Sequence, residues 1–308
     1  MAEGPDPRRT RIQIPSVLNE RRHLVNIGYR MLGSLVEAED AVQEAYARWY
    51  ALSPEQRVEI LNPGAWLVTV TSRICLDLLT SARTRRESYF GAWIPEPLPE
   101  PSELEPTRAE DITIDPADRV TLDESVSMAL MVVMESLTPA ERVAFILHDV
   151  FCYKFTEIAD IVGRTPGACR QLASSARGRI QASRTTATPL AMQSEVVRRF
   201  KRAWMAKDID ELVRLLDPSV VATADGGGLA LAFFEPIEGR DGVVHTWLEL
   251  TDRIHDMTLL ERTVNGQPGL VAQQAGVTVS TYSFNIANGR ITHIWAVRNP
   301  EKLLPWTH

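Results

Sequence analysis

The stretch Lys154–Gln181, KFTEIADIVGRTPGACRQLASSARGRIQ, confines its part of the chain to two short helices joined by a tight turn. Thr156 is placed to cap a first helix in which Ile158, Ile161 and Val162 recur at helical spacing, and Gly163 stands where a left-handed C-terminal cap is needed. Thr165 supplies a second cap, and Pro166 presets the first turn of the next helix. Cys169, Leu172, Ala176 and Ile180 make the inward stripe of that helix. Arg170, Gln171, Ser174 and Arg177, with Thr165 at the entry, make an opposite face whose donors suit base edges and phosphates. This is a helix-turn-helix pattern. A plain helical hairpin with a solvated charged face satisfies it equally, so the rest of the chain has to decide.

A length of 308 residues predicts two or three domains, and 44% hydrophobic with 24% charged residues is ordinary globular composition. The net charge of −7 argues against indiscriminate coating of nucleic acid. Charge is nevertheless segregated. Basic residues crowd at Arg83, Arg85 and Arg86 and at Arg164, Arg170, Arg177, Arg179 and Arg184; acidic ones crowd from Glu37 to Glu44 and from Glu96 to Asp115. Such a partition predicts patches with separate partners. Cys75, Cys152 and Cys169 have neither metal-ligand spacing nor a disulfide framework, so no metal and no cofactor is expected. No secretory leader and no apolar run approaching ~20 residues is found, which predicts a soluble, cytoplasmic chain without membrane contact.

From Ser16 to about Arg86 the pattern is helical. Leu24, Ile27, Met31 and Leu35 form one stripe; Ala38, Ala41, Ala45 and Trp49 form another between Glu37 and Ala51. Asn62-Pro63 opens a long helix with Leu67, Val70, Ile74 and Leu78 inward. Trp66, beside that stripe, reads as core. From Tyr89 to Pro116 prolines alternate with acidic residues, as in an extended, weakly structured linker. Helices resume near Asp123. After a break at Thr185–Pro189 come two helices, the second capped by Asp208 with Glu211, and then β-rich runs: Val220–Thr223, Leu229–Phe234, Met257–Val264, Leu270–Gln274, Val277–Ile286 and Arg290–Val297. The last two flank the hairpin dipeptide Asn288-Gly289. Helices followed by antiparallel strands predict an α+β domain.

The runs YRMLGSLVEAEDAVQEAYARWY (Tyr29–Tyr50) and NPGAWLVTVTSRICLDLLTSARTRRES (Asn62–Ser88) resemble region 2 of an extracytoplasmic-function (ECF) RNA polymerase sigma factor. LTPAERVAFILHDVFCYKFTEIADIVGRTPGACRQLASSARGRI (Leu137–Ile180) resembles region 4 of the same family, in the family's order. The resemblance implies that Asp40, Gln43 and Glu44 contact the clamp helices of the largest polymerase subunit, with the flap region as a further contact. It also implies that Arg73, Asp77, Thr80, Arg83 and Arg85 meet the downstream promoter element, and that Arg170, Gln171 and Ser174 lie nearest the bases of the upstream one. In the family picture the linker threads the basic polymerase channel; a solvated spacer remains the alternative.

The remaining residues resemble a SnoaL-like α+β cone domain, which a subgroup of ECF factors carries. Three signatures of that subgroup occur: Trp93 to Pro97 with Pro95 between, Asp225-Gly226-Gly227-Gly228, and Asn299-Pro300-Glu301-Lys302-Leu303. The expected architecture is therefore multidomain, two all-α sigma domains followed by an α+β SnoaL-like domain: 1–88 region 2, 89–120 linker, 121–184 region 4, 185–193 linker, 194–308 regulatory domain. SnoaL relatives include enzymes, for which His245, His293, Asp225, Glu235 and Tyr282 would be the candidates here. With no nucleophile elbow, metal triad or phosphate loop, the expectation is no catalysis, a regulatory role, and room for an unknown small ligand. The expected function is promoter-directed transcription initiation with core RNA polymerase and promoter DNA as partners, modulated by the chain's own last domain. The alternatives are a DNA-binding regulator using only the helix-turn-helix, or a SnoaL-type enzyme fused to a DNA-binding module.

Overall fold

The structure is a computed structural model that describes residues 14–87, 89–99, 126–183, 188–253 and 256–306; side chains at 14–19, 82–87 and 251–253 lie outside that description. The chain divides into two compact units, Met1–Ser81 with Pro139–Ala173, and Ala82–Thr138 with Ser174–His308.

The first unit opens with α1 (Ile14–Leu32), α2 (Leu35–Ala51), α3 (Pro54–Glu59) and α4 (Pro63–Glu87). Leu24, Ile27 and Met31 of α1 are buried, as are Ala38, Ala41, Ala45 and Trp49 of α2, following the spacing in the sequence. Gly28 matters to this pair. A Cβ added there would lie 3.0 Å from the Ala38 Cβ, so only glycine lets the two helices approach this closely. Asn62 Oδ1 accepts from the Ala65 amide at 3.1 Å and caps α4. Trp66 tilts against Trp49 with ring centroids 5.3 Å apart, the expected packing role. Helix α3 was not anticipated; Ser53 and Gln56 form a reciprocal capping box at its start.

Beyond the linker, α5 (Met128–Met134) belongs to the second unit, and α6 (Pro139–Phe145) returns to the first. A π-helical turn, Ile146–Val150, follows, then α7 (Phe155–Val162) and α8 (Pro166–Ser183). Thr156 does not cap α7. The helix starts one residue earlier, where Glu157 Oε2 accepts the Lys154 amide at 2.8 Å, and Thr156 falls inside it. Gly163 does adopt φ +69° as the left-handed cap, and Thr165 Oγ1 accepts the Ala168 amide at 3.2 Å to open α8. Cys169, Ala176 and Ile180 are buried as expected, joined by Ala173, while Leu172 is half-buried. Burial pushes the Cys75 thiol up to about 12, as suits an inert core residue.

The second unit holds α9 (Leu190–Ala206), α10 (Ile209–Leu215), α11 (Arg240–Arg253) and six strands: β1 (Leu216–Asp225), β2 (Ile237–Glu238), β3 (Met257–Val264), β4 (Gln267–Gln274), β5 (Val277–Ala287) and β6 (Arg290–Val297). Asp208 Oδ1 caps α10 through the Glu211 amide at 3.0 Å. The strands form one sheet in the order β2-β1-β6-β5-β4-β3. Its β1/β6 pair is parallel, so the sheet is mixed and not purely antiparallel as expected. Between those two strands the chain passes through α11 and the β3–β4–β5 meander, the long crossover that parallel pairing requires. Leu229–Phe234, expected as a strand, is an exposed loop, and α11 went unanticipated. Asn288 and Gly289 both have positive φ, +51° and +73°, giving the expected tight hairpin between β5 and β6.

Both sheet faces are apolar. Ile294 and Ala296 join one core with Phe200, Trp204, Leu212, Trp247 and Phe284, from the helices and β5. Their neighbours Trp295 and Val297 point the other way by strand alternation, into a second core with Val264 and Val271. That second face is covered by Ile94 of the linker, Met128 of α5, and Leu303 and Trp306 of the tail.

Candidate functional site

Asp40, Gln43 and Glu44 are exposed together on α2, opposite its buried alanines. Glu44 pairs with Arg48 one turn on, and Glu39 with Arg21 at 3.2 Å. Both are exposed ion pairs, which contribute little and exchange readily for outside partners. The face is therefore a fixed acidic surface whose shape comes from the packed side of the helix.

Arg73, Asp77 and Thr80 line the outer face of α4. The Arg73 guanidinium donates to the Asp160 carbonyl at 2.7 Å, in the last turn of α7, where unpaired carbonyls attract cations. Arg83 and Arg85 have side chains outside the described ones. On α8, Thr165, Arg170, Gln171 and Ser174 are exposed as the pattern predicts. Arg177 is less exposed than the pattern predicts. Flanked on the helix by buried Ala173, Ala176 and Ile180, it is half-buried and stands at the border of the exposed face.

Within the same unit, α1 meets the segment around the π-helical turn. Buried Arg142 donates to the Met31 carbonyl at 2.9 Å, and His23 Nε2 lies 3.1 Å from the Tyr153 hydroxyl. The His23 ring sits edge-on to Phe151 at 5.3 Å, and burial holds its pKa below the ordinary histidine value.

The densest polar cluster lies in the second unit, around Asp225 at the end of β1. Its carboxylate is fully buried. It accepts from the Tyr89 hydroxyl at 2.7 Å, the Ile94 amide at 3.0 Å, the Gly227 amide at 3.0 Å and the Lys302 ammonium at 2.6 Å. Lys302 Nζ also donates to the Ile94 carbonyl at 2.5 Å and faces the rings of Trp93 at 4.3 Å and Tyr89 at 5.1 Å. A carboxylate and an ammonium removed from water survive only with this degree of pairing. Burial, then Asp225, pushes the Tyr89 hydroxyl well above the usual tyrosine range.

The same strip of linker is held further along. Trp306 Nε1 donates to the Pro97 carbonyl at 2.8 Å, and Asn299 Nδ2 donates to the Tyr89 hydroxyl at 3.0 Å. Pro99 bridges to Val264 at the sheet's edge strand. Ile94, Pro95, Glu96, Pro97 and Pro99 are all buried, so this part of the linker is extended but far from weakly structured. Its prolines have no N–H to satisfy, and the amides of Ile94 and Leu98 are both bonded to side chains of the sheet domain. The glycine run serves the same cluster. Gly227 has φ +60°, and a Cβ there would lie 2.3 Å from Asn299 Nδ2. Of the three signatures, Trp93 to Pro97, Asp225 to Gly228, and Asn299 with Lys302 and Leu303 therefore share one site, while Pro300 is exposed.

Residues 17–85 match the model of Sigma-70 region 2, and residues 127–180 that of Sigma-70, region 4. The ECF RNA polymerase sigma factor SigJ of Mycobacterium tuberculosis is 37% identical over 295 residues, covering 92% of this chain and 90% of that protein. The chain belongs to the ECF RNA polymerase sigma factors. A probable ECF sigma factor of the same organism, SigI, is 37% identical over 289 residues and covers 92% of both chains. The crystal structure of M. tuberculosis SigJ superposes with a TM-score of 0.72 at 33% identity, over 95% of this chain and 99% of that one. The match thus extends past the two sigma regions into the helix-and-sheet domain, and the function is that of a promoter-directing sigma factor.

In this sigma factor the candidates for SnoaL-type chemistry do not converge. His245 is exposed on α11 and pairs with Glu249 at 3.3 Å, and Glu235 is exposed on a loop. His293 stacks on Trp295 at 5.5 Å, its pKa lowered by burial, while Tyr282 is packed against Trp204 at 5.3 Å. Asp225 is committed to the linker. Phe200, Trp204, Trp247 and Phe284 pack in the core between helices and sheet. Three residues of the linker site escaped the sequence reading: Tyr89, Asn265 and Trp306. Asn265-Gly266, a turn dipeptide between two β-rich runs, was the available signal for one of them.

Proposed function

We propose that this sigma factor is governed by capture of its own linker. In the active form, Asp40, Gln43 and Glu44 dock on the clamp helices of core polymerase. Arg73, Asp77, Thr80, Arg83 and Arg85 meet the downstream promoter element, and Arg170, Gln171 and Ser174 read the upstream one. The linker then has to be free to follow the polymerase channel. In the captured form, residues Tyr89 to Pro99 lie on the sheet under the tail.

The observation that carries this reading is the buried Asp225–Lys302 pair closed over Tyr89 and Ile94. Among its described residues the domain devotes its most buried charges to a segment 131 to 208 residues away in sequence. Arg73 donates to a carbonyl of α7 in this arrangement, a bond it would exchange for promoter DNA in the active form. Removing residues from Asn299 onward shifts the population toward the open form. Run-off transcription with core polymerase tests this: the tail-deleted protein gives more transcript than the full chain. Equal transcript, together with equal compactness by small-angle scattering, overturns it.

A further inference from the structure

Arg170 stands at the exposed start of α8, and among the described residues no carboxylate pairs with it. Its guanidinium carbon lies 5.3 Å from the centroid of the Phe155 ring, within cation–π range. Phe155 is half-buried at the first position of α7 and is itself backed by His148, whose ring centroid lies 3.9 Å from that of Phe155 at an interplanar angle of 31°. His148 is fixed in turn, with Nδ1 3.0 Å from the Tyr153 carbonyl.

The backbone explains why these rings meet. His148 belongs to the π-helical turn Ile146–Val150, in which the Phe151 amide reaches back to the Ile146 carbonyl at 3.1 Å. The chain then reverses through Cys152 at φ +58°, an unusual conformation for a side-chain-bearing residue. A π-turn and a left-handed residue in succession bring His148 and Phe155 into one stack beside the entry to α8.

We infer that Phe155 is a positioning residue for promoter reading, an aromatic platform that holds the Arg170 guanidinium flat. This rests on the reading that α8 reads the upstream element. An arginine has several rotatable bonds and loses much freedom when it binds. A guanidinium already laid on a ring loses less, and its N–H edge stays free to donate to a bidentate acceptor such as a guanine edge or a phosphate. Chemistry of this kind is lost when the ring becomes aliphatic, even at similar volume.

The test uses full-length protein with core polymerase and upstream sequences selected by the wild type from a randomised pool. Phe155→Leu should lose about two- to fivefold in discrimination between selected and unselected sequences, the range expected for an exposed cation–π contact. Phe155→Tyr and Phe155→Trp, which keep an aromatic face, should retain it. Phe155→Leu/Arg170→Ala should be no worse than Arg170→Ala. Side-chain NMR of Arg170 gives a readout independent of DNA: its Nε becomes more mobile in Phe155→Leu. Unchanged mobility, additive losses in the double variant, or equal losses in the tyrosine and tryptophan variants overturn the platform. If Arg170→Ala itself costs nothing, the reading of α8 fails and the platform falls with it. Loss in Phe155→Leu concentrated at one base position assigns the acceptor to a base edge and supports the platform; loss that spreads evenly over all sequences leaves discrimination unchanged and overturns Phe155 as a positioning residue for promoter reading.

Discussion

Asn265 and Leu98 satisfy one another's backbone. The Asn265 amide donates to the Leu98 carbonyl at 2.8 Å, and the Leu98 amide donates to Asn265 Oδ1 at 2.8 Å. Asn265 makes this possible by adopting φ +51° in the β3–β4 turn, a conformation asparagine tolerates. Its remaining Nδ2 donates to the Val126 carbonyl at 2.9 Å, so one side chain ties the linker to the segment leading into α5.

Replacing Asn265 with alanine removes two side-chain hydrogen bonds and leaves the Leu98 amide without its acceptor. At about 1 kcal/mol per bond, plus about 1–3 kcal/mol for a stranded buried group, docking of the linker should weaken by a few kcal/mol. Hydrogen exchange at Leu98 accelerates in the variant, while amides of α1 and α2 keep their wild-type protection. Unchanged exchange at Leu98 would contradict this.

Breaking the buried charge pair has a larger effect. Lys302→Met strands the Asp225 carboxylate away from water, a change that typically costs about 3–5 kcal/mol. The double variant Asp225→Asn/Lys302→Met removes both charges and should recover part of the loss. Denaturant titration of the two variants measures the difference; a double variant less stable than Lys302→Met would mean that the aspartate is not what the lysine compensates.

Acid should loosen the first unit through His23. Burial holds its folded pKa below the ordinary value of 6.5, so the unfolded chain binds more protons as pH falls. Stability from the neutral ring is therefore complete above pH 6.5 and declines as pH drops through the folded pKa. His293, also lowered by burial, contributes in the same direction from the second unit. Melting curves between pH 5 and pH 8 for wild type and His23→Gln separate the two, because the variant keeps only the His293 part of the slope. Identical slopes would remove His23 from the account.

Charge reversal at Asp40 and Glu44 should abolish capture of core polymerase while moving stability by no more than about 0.5 kcal/mol, since both side chains are exposed. Pull-down with core enzyme beside a thermal melt checks both halves. Retained binding would remove α2 from the polymerase contact.

Local rules accounted for the helices well. The alanine stripe of α2, the Asn62 and Asp208 caps, the Gly163 and Thr165 punctuation and the Asn288-Gly289 hairpin all rest on interactions within a few residues, and each formed where the spacing put it. The misses are mostly long-range. Leu229–Phe234 has strand-like composition, but no neighbouring strand claims it, and Leu231 is 83% exposed. Helix α11 buries Val243, Val244 and Trp247 with Leu248 packed beside them, a helical spacing that the sequence carried but that went unread. The linker looked like a spacer because proline and acid usually mean solvation. What buries it, Lys302 and Trp306, lies some two hundred positions away. The candidate DNA and polymerase faces were readable because exposed faces are the complement of packed ones, whereas a captured segment has no local signature.

The distance between Pro97 and Trp306 also sets a schedule. The two are 209 residues apart, and a ribosome adding about 5–20 residues per second takes about 10–40 s to travel between them. Throughout that interval the α1–α4 helices have already been synthesised, and the helix-turn-helix is added early in it, while Lys302 and Trp306, which close the grip on the linker, come only at its end. A nascent chain is therefore unclamped by construction. Capture is an event of the finished protein, and pausing of translation anywhere between β1 and β6 prolongs the time for which the linker is loose.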